Sequence, residues 1–107
     1  MAQEKQFENK IKKYIEDLGG YQVKFFANSM TRKGVPDLLC CLRGKFLAIE
    51  VKAENGHPSE LQLYQIRKIR EAGGIAFVLY PSGWDDFKIV CYDILKGYLF
   101  KPPEILK

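Results

Sequence analysis

"GVPDLLCCLRGKFLAIEVKAENG", residues 34 to 56, is a stretch built for burial that nonetheless carries Asp37, Glu50 and Lys52. Leu38, Leu39, Cys40, Cys41 and Leu42 run without a break, and Phe46 to Val51 is apolar until Glu50 interrupts it. Both runs have the length and composition of strands, expected over residues 37 to 42 and 46 to 52, with a tight turn around Arg43-Gly44-Lys45. Burying a charge is costly unless it is paired or bound to a metal. The hairpin itself supplies a partner for each. Side chains alternate along a strand, so Glu50 and Lys52 project from one face, their Cα atoms roughly 6.5 Å apart. Asp37 opens the preceding strand just after Pro36, and a turn near Gly44 sets it opposite residues 50 to 52.

Two carboxylates this close repel each other. Either one stays protonated, or a divalent cation lies between them, and hard oxygen ligands suit magnesium or manganese. Lys52 beside them can form a structural ion pair, or it can orient or deprotonate a water and stabilise charge on a phosphate. An E-x-K on a strand is common as a plain salt-bridged hairpin end. Pro-Asp at the paired end of the neighbouring strand favours a metal site.

The rest of the chain is consistent with one small globular unit. It has 107 residues, 47% of them hydrophobic and 28% charged, which suits one domain over residues 1–107 with a real core. The net charge of +4 favours a polyanionic partner. The three cysteines show no CxxC spacing and there is one histidine, so a zinc site is not expected; buried reduced thiols are. The charged N-terminus is not a signal peptide, and no apolar stretch is long enough to cross a membrane, so the expected location is cytoplasmic and reducing.

Phe7, Ile11, Tyr14, Ile15 and Leu18 recur at helical spacing over residues 4 to 18, and Gly19-Gly20 ends that helix. Residues 21 to 27, "YQVKFFA", read as a strand. A second helix is expected from Ser59 to about Ala72, closed by Gly73-Gly74, followed by the buried strand "IAFVLY", residues 75 to 80. "PSGWDDF" reads as a turn and "KIVCYDI", residues 88 to 94, as one more strand. The order α-β-β-β-α-β implies an α/β fold. Sequential strands form an antiparallel meander, and a right-handed helical crossover adds a parallel strand, giving a mixed sheet flanked by helices.

"GVPD", twelve residues, then "EVK" resembles the PD-(D/E)xK nuclease superfamily. A first helix holding a glutamate, "GVPDLL", "AIEVK", "PSELQ" and "REAGG" before an apolar strand narrow the resemblance to stand-alone VRR-NUC domains, themselves similar to Holliday-junction resolvases. It covers roughly residues 4 to 80 and leaves 81 to 107 unmatched. The resemblance implies a restriction-endonuclease-like core and metal-dependent phosphodiester hydrolysis in DNA. It implies Asp37 and Glu50 as ligands of Mg2+ or Mn2+, the peptide carbonyl of Val51 near the metal, and Lys52 as the catalytic lysine. Glu8 stands where resolvase-like members carry a helix-one glutamate and would be a further ligand. Glu4, one turn earlier, is the alternative, and either can instead be a first-turn carboxylate favoured by the helix dipole.

Ser59-Glu60-Leu61-Gln62 matches an S-x-x-Q capping box, which is by itself a structural reason for Gln62. Related nucleases place a glutamine here near the metal, so Gln62 is also a candidate site residue, with Gln65 the alternative. Arg32 and Lys33 could contact backbone phosphates, or form a solvated basic loop. His57, Trp84 and Phe87 are read as structural, and the lysines at 10, 12 and 13 as a solvated helix face. The expected activity is endonucleolytic, on branched DNA such as four-way junctions. The rivals are a nicking or restriction-like nuclease on ordinary duplex, and a non-catalytic DNA-binding module. Two symmetric cuts suit a homodimer, for which the apolar tail around Tyr98, Leu99 and Phe100 is a candidate interface.

Overall fold

The structure is a computed structural model that describes residues 2–28, 30 and 32–98. Helix α1 (Ala2–Asp17) is followed by strands β1 (Tyr21–Lys24), β2 (Leu38–Leu42) and β3 (Lys45–Val51). Helix α2 (Glu60–Glu71) leads to β4 (Ile75–Leu79), and a 3-10 turn (Pro81–Gly83) runs into helix α3 (Trp84–Lys96). The sheet order is β1-β2-β3-β4. The β1–β2 and β2–β3 pairs are antiparallel, and β3–β4 is parallel, as the helical crossover requires. This is the mixed, helix-flanked sheet expected from the sequence.

Local chemistry sets the hairpin. Leu42 pairs with Lys45 across a two-residue turn in which Arg43 and Gly44 have φ of 48° and 77°. That backbone twist matches the flanking strands, which fixes the register down to Leu38 opposite Ile49. Asp37, one residue before β2, is thereby held beside Val51.

The two faces of the sheet bury different cores. On one, Leu38, Cys40, Leu47, Ile49, Val51, Phe77 and Leu79 pack against Phe7, Ile11 and Ile15 of α1 and against Phe87, Val90, Cys91 and Ile94 of α3. On the other, Ala48, Ala76 and Val78 pack against Ile66 of α2. Alternation therefore puts Glu50 on the α2 face and Val51 on the α1–α3 face. Helix α2 lies over β3 and β4, which leaves Tyr21, Cys41 and Phe46, a row of cross-strand partners on that same face, exposed.

Three expectations need correction. Residues 88–94 are helix rather than strand. Phe87, Val90, Cys91 and Ile94 are buried at the spacing of a single helical stripe, which overrides the strand propensity of Ile89, Val90 and Tyr92. Cys41 is exposed, because it alternates with buried Cys40 and Leu42 onto the uncovered half of the sheet; all three cysteines are free. The basic face of α1 is not simply solvated either. Lys12 pairs with Glu8, and Lys10 Nζ lies over the Trp84 ring, 4.3 Å from its centroid. Trp84 itself packs edge-on against Tyr14 and tilted against Phe87, so both aromatics belong to the core. Of the apolar tail, Tyr98 is exposed and meets Tyr92 edge-on, while Leu99 and Phe100 lie outside the described residues.

Candidate active site

Asp37 Oδ2 accepts a 2.9 Å hydrogen bond from the backbone N–H of Val51, which locks the loop end of β2 to the end of β3. Glu50, the preceding residue on β3, is only 2% exposed. Its Oε2 lies 3.3 Å from Lys52 Nζ and accepts a 2.9 Å hydrogen bond from Gln62 Nε2. Its Oε1 is buried with no hydrogen-bond partner. Burial, and then the charge of Asp37, push the Glu50 carboxyl up to about 7, and the ammonium of Lys52 only partly opposes this. Asp37, Glu50 and Lys52 thus converge at the C-terminal end of β3.

Gln62 closes the cap of α2 and also contacts Glu50. Its Oε1 accepts from the backbone N–H of Ser59 at 2.8 Å while Ser59 Oγ accepts from its own N–H at 3.1 Å, closing the capping box. The amide nitrogen is left free by the cap, and it is this atom that holds Glu50. Gln65, the alternative, is buried and turns elsewhere: its Nε2 donates to the carbonyl of Lys33 at 3.1 Å. That bond ties the Arg32–Lys33 loop to α2, leaving both basic side chains exposed beside the site. Gly34 makes the approach possible. It has φ of +82°, and a Cβ there would stand 2.6 Å from the carbonyl oxygen of Leu61.

Glu8, rather than Glu4, is the buried carboxylate of α1, 4% exposed. It is linked to Asp37 through the ammonium of Lys24. Glu8 projects from α1 on one side of the sheet, whereas Glu50 faces α2 on the other. Between Glu8 and Asp37 stands Lys24, whose Nζ lies 2.6 Å from Glu8 Oε1 and 3.5 Å from Asp37 Oδ1. Lys12 and Lys5 approach Glu8 Oε2 at 3.3 and 3.7 Å. Burial works against the charge on Glu8, but Lys24 and Lys12 together outweigh it and hold the carboxyl below its ordinary value. Burial likewise opposes the charge on Lys24, and Glu8 and Asp37 outweigh it, raising its pKa. Sequence reasoning missed Lys24. It sits among β-formers, and its partner Glu8 is 16 residues away.

Among the described residues no three acidic, histidine or cysteine side chains cluster closely enough to hold a metal. The residues that could hold one are Asp37, Glu50 and the Val51 carbonyl, with Glu8, whose Oε2 is likewise buried without a hydrogen-bond partner, across Lys24 from Asp37. The chemistry of these donors fits a hard divalent cation of the magnesium type, which takes one or two carboxylates and completes its shell with water and phosphate oxygens. The donor-free Oε1 of Glu50 is the atom such an ion would satisfy.

The family profile described as archaeal Holliday junction resolvase (Hjc) matches residues 2–94, from α1 into α3. The chain belongs to the archaeal Holliday junction resolvase family. It is accordingly a nuclease, and the match takes in most of α3, beyond the motifs that end near residue 80. A solved structure titled "VRR_NUC domain" shares 28% identity with this resolvase-family chain, with a TM-score of 0.63 over 90% of this chain and 97% of the other. No protein of curated function matches it. No helix among the described residues is long and apolar enough to cross a membrane.

Proposed function

We propose that this protein is an endonuclease that cuts branched DNA, four-way junctions above all, using Mg2+ or Mn2+ bound by Asp37, Glu50 and the carbonyl of Val51. The observation that carries the reading is the buried, donor-free oxygen of Glu50 beside Asp37. An acid in that position is destabilised as an anion until a cation neutralises it. Resolvase-like nucleases of this superfamily generally use divalent metals, which agrees. A bound divalent cation supplies a Lewis acid that lowers the pKa of the attacking water and offsets charge on the phosphate.

The protein's own groups do the positioning. Val51 N–H orients Asp37 through a fixed backbone donor. Gln62 fixes the Glu50 carboxylate so that its second oxygen points to the cation site. Lys52, half-buried and adjacent to Glu50, positions the water or stabilises the developing negative charge. Arg32 and Lys33, presented on a loop anchored to α2, contact flanking backbone phosphates and give affinity without reading sequence. Residues 1–107 work as a single nuclease unit. A homodimer provides the two symmetric cuts that junction resolution needs. The exposed row Tyr21, Cys41 and Phe46 offers apolar surface for such a partner. The free thiols suit a reducing, cytoplasmic setting.

The test is to incubate purified protein with labelled junction, flap, duplex and single-stranded DNA, each with magnesium, manganese or EDTA. Paired symmetric cuts in the junction, dependent on metal, with a dimer by light scattering, are the expected result. Equal cleavage of linear duplex, or cleavage in EDTA, would refute junction selectivity or metal dependence respectively.

A further inference from the structure

Lys52 carries its ammonium on a long flexible stem, and the contact at its head is Glu50 Oε2, 3.3 Å away. The same carboxylate is proposed to serve a cation, and an anion shared in that way attracts a neighbouring ammonium less. The aim of Lys52 therefore depends on what holds its stem. That support comes from the end of β4. Lys52 and Tyr80 follow directly on the Val51–Leu79 pair, so they lie side by side on the α2 face. The backbone N–H of Lys52 donates to the Leu79 carbonyl at 3.1 Å. The chain then turns, and the Gly56 N–H donates to the Ala53 carbonyl at 2.9 Å. This turn lays Gly56 along the lysine stem: a Cβ on Gly56 would stand 3.5 Å from Lys52 Cδ and 3.6 Å from Lys52 Cβ.

Two hydrogen bonds fasten the turn. The Tyr80 hydroxyl donates to the Gly56 carbonyl at 3.0 Å, and Glu54 Oε1 accepts from the backbone N–H of Ser82. Tyr80 is itself well fixed. Its ring packs against the cluster of Ala48, Ile66, Ala76 and Val78, and its carbonyl accepts from the Gly83 N–H at 2.9 Å. Both fastenings end on the turn rather than on Asp37, Glu50 or Gln62. We propose that Tyr80 is a positioning residue for Lys52: together with Glu54 it holds the turn of residues 53–56 against the lysine stem, and so keeps the ammonium aimed at the attacking water or the developing negative charge. The proposal rests on the nuclease reading above and adds the end of β4 to the groups that shape the reaction.

Single-turnover cleavage by the full chain with Mg2+, on whichever of junction, flap, duplex and single-stranded DNA the wild type cuts fastest, tests it. Tyr80→Phe removes the hydroxyl alone and should lower the rate per folded molecule about tenfold. DNA affinity by anisotropy and the Mn2+ Kd by calorimetry should stay within about twofold of wild type, because the turn supplies neither the cation donors nor the Arg32–Lys33 loop. In a Lys52→Ala background there is no stem to hold, and Tyr80→Phe should then change the rate by less than about twofold. A hydroxyl that served only the fold would cost the same in both backgrounds. Glu54 provides a second arm. Glu54→Ala should slow cleavage about threefold or more, and Glu54→Gln, whose amide oxygen still accepts from Ser82, should restore at least about half the wild-type rate. Glu54 is exposed, so this arm decides the matter if Tyr80→Phe fails to fold. An equal loss from Tyr80→Phe with and without the Lys52 side chain, or wild-type rates in both Tyr80→Phe and Glu54→Ala, overturns the positioning role and leaves the nuclease reading intact. Wild-type protein that cleaves none of the four DNAs overturns both.

Discussion

Gln62 donates to Glu50 across 2.9 Å with the one half of its amide that the helix cap does not use. The start of α2 and the orientation of a site carboxylate are therefore set by a single side chain. Gln62→Ala should lose both functions together. Stability should fall by about 1 kcal/mol as the capping box opens. Cleavage per folded molecule should fall by at least about tenfold, because Glu50 loses the Gln62 amide that holds it. Melting curves and single-turnover cleavage at a temperature where both proteins are folded separate the two effects. Unchanged turnover in the folded variant would limit Gln62 to the cap.

Glu50→Gln, Asp37→Asn and Lys52→Ala should each reduce cleavage by at least about 100-fold while leaving junction binding largely intact. All three groups belong to the convergence at the end of β3, and none supplies the exposed positive charge of the Arg32–Lys33 loop. Gel-based cleavage beside anisotropy of the same DNA checks this. Wild-type rates in any of the three would remove that residue from the site.

Glu50 also makes the metal-free protein sensitive to pH. Its carboxyl is raised from 4.5 to about 7, chiefly by burial. Between those values the folded protein keeps a proton that the unfolded chain has lost, so stability contributed by neutral Glu50 is full below about pH 4.5 and is lost as pH rises toward 7. The loss is on the order of 3 kcal/mol at most. In EDTA, Glu50→Gln should melt above wild type at pH 8 and level with it at pH 4.5. Added Mg2+ or Mn2+ should raise the wild-type Tm more at pH 8 than at pH 6, since at the lower pH the cation must displace a proton.

Gly34→Ala should be costly out of proportion to one methyl group. The backbone there has φ of +82°, and the new Cβ would meet the Leu61 carbonyl at 2.6 Å and the Gln62 nitrogen at 3.0 Å. Both atoms belong to the first turn of α2, so the loop and helix must separate. We expect a loss of about 2 kcal/mol, seen as a Tm lowered by roughly 10 °C, with cleavage reduced further because Gln62 shifts. A melting temperature within about 2 °C of wild type would show that the loop yields without strain.

Much of this arrangement was legible in the chain because it depends on short-range rules. Strand alternation and a two-residue turn place Asp37, Glu50 and Lys52 together with no knowledge of the rest of the fold. The pairing of Asp37 with Val51 spans one hairpin. Lys24 was not legible. Its position follows from α1 crossing beside β1, a packing relation that no local pattern encodes. The Gln65 contact to Lys33, 32 residues away, was hidden for the same reason. The Lys12–Glu8 pair, by contrast, has i,i+4 spacing and could have been read. So could α3, whose buried residues at 87, 90, 91 and 94 keep helical period beneath a strand-like composition. Gln62 was read as either cap or site residue, although an amide has one end for each.

Glu50 and Val51 end β3, an interior strand whose antiparallel register with β2 runs to Ile49 and whose parallel register with β4 runs on to Val51, and Lys52 follows directly. The N–H of Lys52 extends that pairing to Leu79, and the N–H of Val51 is held by Asp37. Local opening of this segment must break the β4 ladder and the Asp37 bond together, so its amides belong with the slowly exchanging hydrogens of the molecule. The groups proposed for catalysis would then rest on a stiff floor through turnover. If the protein adapts to DNA of differing shape, the described segments outside the ladders, residues 26–28, 32–36 and 53–59, and the reach of their side chains are where it would do so.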